Sequence, residues 1–154
     1  MDLKNAIREF DQYHQSPENR LCHYVGLPSI AMAVLGSLAY IKWDIYLLSA
    51  WEVTLDLGLV LLAITLVYDI TVNWRIALGV LVAGIVIYLI GSVLPLTTLA
   101  ILFIMGWLFQ LIGHRRYEKN NPAFMVNLKH FYVGPRWLVN RVIRVFEVDV
   151  MDSK

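Results

Sequence analysis

Leu3, Ile7, Phe10 and His14 recur at three- and four-residue steps, while Asp2, Lys4, Arg8, Glu9 and Asp11 take the other sides. That period predicts an amphipathic helix over 2–16, in an N-terminal segment 1–20 that lies on a membrane surface or packs on helix ends. Ser16-Pro17-Glu18-Asn19 reads as a turn, with Ser16 able to cap a following helix and Pro17 at its first position. Val25 to Ile41 is then uncharged for 17 residues, about enough to cross roughly 30 Å of hydrocarbon. Gly26 and Pro28 sit near its start, where they can kink it, and Tyr40, Trp43 and Tyr46 follow as an interfacial aromatic belt.

The next apolar run, Leu57 to Tyr68, is short and bounded by Asp56 and Asp69, so a span is placed from near Trp51, with a re-entrant segment as the alternative. Ile76 to Gly113 carries no formal charge over 38 residues, and Pro95 beside Gly91-Ser92 divides it into two spans. After Pro122, Phe131, Trp137, Leu138, Val142, Val145 and Phe146 suggest one apolar face, flanked by Arg136, Arg141 and Arg144. The expected architecture is a single all-α domain, an integral membrane helical bundle. Its parts are four membrane helices, 21–42, 51–69, 75–94 and 96–118, with the N-terminal amphipathic helix and an interfacial segment 123–150.

Composition agrees. Of the 154 residues, 58% are hydrophobic and 16% charged, against roughly 25% charged in soluble domains. Four spans put both ends on one side, with twelve of the 13 Lys and Arg residues; only Lys42 falls opposite. The positive-inside rule then makes the termini cytosolic. No signal-peptide pattern opens the chain, and the lone Cys22 leaves no internal disulfide. No Gly-rich phosphate loop, serine-hydrolase elbow or nucleic-acid motif is present. The tail arginines suit anionic lipid instead.

The candidate chemistry gathers where the last span ends. His114 and Glu118 are four apart, on one face if helical. His23 precedes the first span at the same membrane depth, and His14 and His130 fall on the same side. Imidazoles with a carboxylate and an open position suit Fe(II) and oxygen chemistry, and a zinc-finger spacing is absent. Each residue also has a plainer reading: His14 as an exposed helix residue, His23 and His114 as interfacial anchors, Glu118 as a partner for Arg115 or Lys119. Asn19, Gln110 and Asn121 are equally at home as helix-end hydrogen bonders. Asp56 and Asp69 are read as span ends; a proton relay is the alternative, with no partner in view for it.

Tyr13-His14, Asn19, His23, Gly26 and Pro28, with Gln110, Gly113-His114, Glu118-Lys119 and Pro122-Ala123, resemble the two motif blocks of the 2-hydroxy fatty acid dioxygenase family. The resemblance covers nearly the whole chain. It implies a multi-pass membrane enzyme that uses Fe(II) and O2 to remove one carbon from a 2-hydroxy fatty acid by α-oxidation, as in phytosphingosine breakdown. His14, His23, His114 and, in a more variable region, His130 are then the expected metal ligands. Glu118 is expected to ligate the metal or move a proton. Arg115, Arg116 or Arg20 would hold the carboxylate, with Asn19 and Gln110 near the substrate. Short loops suggest a bacterial inner membrane, or the endoplasmic reticulum if the source is eukaryotic. The competing expectations are a non-catalytic membrane scaffold or lipid carrier with structural histidines, and a transporter. Oligomeric state is not written in the pattern.

Overall fold

The computed structural model describes residues 2–47, 51–119 and 127–146. In chain order come α1 (Leu3–Gln12), α2 (Pro17–Leu38), β1 (Lys42–Leu47), β2 (Trp51–Asp56), α3 (Leu57–Val72), α4 (Trp74–Gly91), α5 (Leu96–Ile112), a π-helical turn (Gly113–Glu118) and α6 (Lys129–Ile143). The starts are set by local chemistry. Asp2, Ser16, Asp56 and Asn73 each accept a hydrogen bond from a backbone N–H of the first turn that follows, satisfying donors with no helical partner. Pro17 sits in the first turn of α2, and Pro95 immediately precedes α5.

Three helical stretches are long and apolar enough to cross a membrane: Pro17–Leu38, Trp74–Gly91 and Leu96–Glu118, the last including the π turn. Helix α3 is apolar but 16 residues long, about 24 Å at 1.5 Å per residue. These helices expose Ile64, Val67, Val82, Leu89, Ile101 and Ile104 outward, an apolar surface far larger than a soluble monomer carries. The most extensive packing joins α2 to α5. It depends on small residues: a Cβ added to Gly26 would lie 2.8 Å from the Gly106 carbonyl oxygen, so the two backbones meet directly. Pro28 lies within α2.

Residues 42–56 correct the expected all-α chain. The span drawn over 21–42 ends at Leu38, and the one drawn from Trp51 starts at Leu57. Between them β1 and β2 pair antiparallel, with Trp43 opposite Leu55 and Ile45 opposite Val53. Trp43, Ile45, Val53 and Leu55 alternate with Lys42, Asp44, Thr54 and Asp56, which is strand period, not helix period. Asp56 ends the hairpin and starts α3: Oδ1 accepts Leu59 N–H at 2.9 Å and Oδ2 accepts the Tyr88 hydroxyl at 2.5 Å.

At the opposite end α1 and α6 pack together over the bundle. Leu3, Ile7, Phe10, Ile76, Val133 and Trp137 form the buried core there, so α1 buries the apolar face its period predicts. The face expected of α6 is corrected. Phe131 and Val142 are exposed, whereas His130, Val133, Gly134, Arg136, Trp137 and Asn140 are buried. Arg136 is drawn inward because Asp69, at the end of α3, needs a counter-charge. Its Nε and Nη2 each donate to Asp69 at 2.9 Å, and the Tyr132 hydroxyl donates to the same carboxylate at 2.6 Å. Asp69 is therefore not a bare span end. Asn121, Pro122 and Ala123 of the second motif block, and the 147–150 end of the expected interfacial segment, lie outside the described residues.

Candidate metal centre

Three buried histidines meet under α1 and α6. His14 follows α1, His23 lies in the second turn of α2, and His114 opens the π turn after α5. One ring nitrogen from each lies within 4.8 Å of the other two. The ring centroids are 4.1 Å apart for His14 and His23, 4.8 Å for His14 and His114, and 5.0 Å for His23 and His114.

The tautomers follow from the partners. His14 Nδ1 is 2.6 Å from the Phe10 carbonyl oxygen, and His23 Nδ1 is 3.0 Å from that of Asn19. Carbonyls only accept, so both Nδ1 atoms carry the proton. In the neutral rings both Nε2 atoms then present lone pairs, and these face each other at 2.9 Å. Two lone pairs at that distance repel unless a cation lies between them. This Nδ1–H to carbonyl arrangement is the usual second shell of a metal-bound imidazole. Burial, followed by the field of His23, holds the His14 imidazole down at about 2, so it stays a neutral ligand rather than a cation.

The surrounding residues fix this geometry and exclude water. Phe10 stacks on His14 with ring centroids 4.2 Å apart, and Trp137 approaches the same ring at 5.2 Å. Trp137 is held by Asp11, whose carboxylate accepts the indole N–H at 2.8 Å and also binds Arg141. Arg20 Nε donates to the His14 carbonyl at 2.7 Å. Asn19 donates through Nδ2 to the Tyr13 carbonyl and to Glu118. Its Oδ1, and Nε2 of Gln110 one turn before His114, are buried without a hydrogen-bond partner. Such orphaned polar atoms mark a place for a further polar group. Gly113 makes room for the Asn19 side chain: a Cβ there would lie 2.3 Å from Asn19 Oδ1.

The remaining expected site residues fall elsewhere. Glu118 turns inward with His114, but its Oε1 accepts the Ser16 N–H at 2.7 Å and the Asn19 amide at 3.2 Å; there it closes the start of α2. His130 is buried, yet it lies outside the three-histidine group, with its ring 5.6 Å from that of Phe10 between centroids. Its Nε2 is 3.4 Å from Glu9, and burial lowers its pKa despite that carboxylate. Arg115 and Arg116 are exposed. Phe10, Asp11, Gly113 and Trp137 were missed as site residues. Their only sequence signal was the apolar period of α1 and α6 and a glycine beside a histidine.

Fold and site thus define a helical membrane-type protein with a buried histidine cluster suited to a metal. The chain belongs to the Mpo1-like family, described as 2-hydroxy-palmitic acid dioxygenase Mpo1-like, whose pattern it matches over residues 1–145. Among characterised proteins it is similar to the 2-hydroxy-palmitic acid dioxygenase MPO1 of Saccharomyces cerevisiae, at 31% identity over 130 residues. That match covers 83% of this chain and 71% of the yeast protein. No solved structure matches the chain.

Proposed function

We propose that this protein is an Fe(II)-dependent dioxygenase that shortens 2-hydroxy fatty acids by one carbon. The observation that carries the reading is the pair of Nε2 lone pairs facing each other at 2.9 Å, with His114 completing the triad, in a chain of this family. The reaction balances without a second reductant. A 2-hydroxy acid and O2 give the acid one carbon shorter, carbon dioxide and water. No nucleotide site is then needed.

His14, His23 and His114 would hold the iron, whose role when bound is to let O2 react with the chelating hydroxyl and carboxylate of the acid. The residues around them set the conditions. Phe10 and Trp137 keep water from the rings, which preserves oxidative chemistry from side reactions. Arg20 and Glu118 fix the two ends of the 14–19 turn, so that His14 and His23 keep their spacing. Gln110 Nε2, a buried donor without a partner, suits a carboxylate or hydroxyl oxygen of the substrate. Asn19 Oδ1 suits its hydroxyl proton. Arg115 and Arg116, exposed on the π turn, draw the anionic head to this face.

We place the four apolar helices across the membrane, α3 as a short fourth span, with this face cytosolic. Every described Lys and Arg except Lys42 belongs to α1, to α6 or to a helix end on the histidine side. The test uses detergent-solubilised protein purified without oxygen and loaded with Fe(II). With 2-hydroxypalmitate it should consume one O2 per pentadecanoic acid and carbon dioxide formed. Folded, iron-loaded protein that consumes no oxygen would favour the scaffold or lipid-carrier reading.

A further inference from the structure

Away from the histidines, an apolar groove of about 580 Å³ opens between α2 and α5, lined by Ala33, Val34 and Leu38 on one side and Leu96, Ala100 and Phe103 on the other. Its position relative to the triad is set by helical spacing. Leu96, Ala100, Phe103, Trp107, Gln110 and His114 succeed one another at steps of four and three residues, which is one stripe of a helix. The stripe therefore runs from the α5 wall of the groove to the candidate metal centre. Aromatic rings mark its middle: Phe103 and Trp107 are 6.2 Å apart between centroids, and Trp107 and Phe131 of α6 are 5.8 Å apart. On α2 the groove residue Val34 lies seven residues, two turns, from Leu27, whose side chain packs against Gly134 of α6. The crease between α2 and α5 thus passes from the groove to the underside of α6, where the histidines lie.

We infer that this groove receives the far end of the substrate's acyl tail and sets the chain length the enzyme prefers; the inference rests on the dioxygenase reading above. Reach decides which acids would notice it. At 1.5 Å per residue, Phe103 lies about 16 Å and Leu96 about 27 Å along the axis from His114. A zigzag chain with bonds of about 1.5 Å advances roughly 1.25 Å per carbon. A sixteen-carbon acid with its head at the triad ends about 19 Å away, inside the groove. An eight-carbon acid ends about 9 Å away, near Trp107, and never reaches it. The site would therefore sort long from short acids by the groove and treat their heads alike.

The test is a chain-length profile of iron-loaded wild type beside Ala100→Phe and Val34→Phe. Both positions are exposed, so each substitution fills the groove without entering the packed seam. Turnover of 2-hydroxypalmitate should fall about tenfold or more, since a pocket that must refuse even one methylene discriminates by roughly 10–200-fold. Turnover of 2-hydroxyoctanoate should stay within about twofold. A 2-hydroxypalmitate carrying a diazirine on its terminal carbon should label residues 33–38 and 96–104, and unlabelled 2-hydroxypalmitate should compete. If both acids are affected equally, or neither is, the groove assignment fails while the dioxygenase reading stands. Labelling elsewhere, or labelling that the free acid does not displace, means that the groove holds bulk lipid only and overturns it. Wild type that turns over neither acid removes the dioxygenase reading and this inference together.

Discussion

At the scale of single residues, the four histidines separate into three and one. His14→Ala, His23→Ala and His114→Ala should each abolish tight iron binding, because a triad reduced to two ligands lacks a closed donor set. His130→Ala should keep close to one iron per chain by elemental analysis, since His130 lies outside the group formed by the other three histidines; loss of iron there would put His130 back among the ligands. Glu118 is separable in the same way. Glu118→Ala leaves the half-buried Ser16 N–H without an acceptor and the Asn19 amide with only the Tyr13 carbonyl, a loss of about 1–3 kcal/mol. Glu118→Gln keeps an amide oxygen there, so thermal stability in detergent should be largely retained. If Glu118→Gln is stable but inactive, the carboxylate has a chemical task as well as a capping one. The sequence showed which residue types converge, because both ends of two spans reach one depth. It did not show which partner each takes, because Ser16 and Glu118 lie 102 positions apart and only the packed fold brings them together.

At the scale of elements, α6 is fastened over the histidines by carboxylates from two other helices. Asp69 binds Arg136, and Asp11 binds Trp137 and Arg141. Arg136→Ala strands a buried carboxylate, which costs about 3–5 kcal/mol and should expose Trp137 to a quencher. Asp69→Asn strands the Arg136 guanidinium in turn and should also destabilise, though Arg136 keeps its bond to the Tyr132 carbonyl. If Arg136→Ala melts like wild type, the pair does not fasten α6. The sequence of α6 misled because its apolar residues outnumber its buried positions. Phe131 and Val142 are as hydrophobic as Val133, and only a charge on α3 decides that Arg136 turns inward. The hairpin was legible in principle: Trp43 to Ile45 and Val53 to Leu55 alternate strictly. The neighbouring apolar runs made a longer span look simpler.

At the scale of the whole molecule, the chain separates two surfaces. One end carries the triad, α1, α6 and the exposed Arg115 and Arg116; the other carries the hairpin and Lys42. In a Cys22→Ala background, a cysteine at Thr54 should react with a membrane-impermeant thiol reagent in intact cells. One at Arg116 should react only after lysis. The reverse pattern would invert the topology proposed for the spans. The order of apolar helices was readable because a bilayer imposes long uncharged runs. The length of α3 was not, since Asp56 both closes a strand and caps a helix.

His14 and His114 stand a hundred residues apart in the chain. A ribosome adding about 5–20 residues per second delivers the first two imidazoles several seconds before the third. During that interval the nascent chain offers only two of the three ligands, with α3, α4 and α5 still to be placed. A metal held by all three histidines is therefore acquired only by a chain that has inserted its last span correctly. On the function proposed above, iron occupancy would then record successful biogenesis, and a misinserted copy would stay inert toward oxygen.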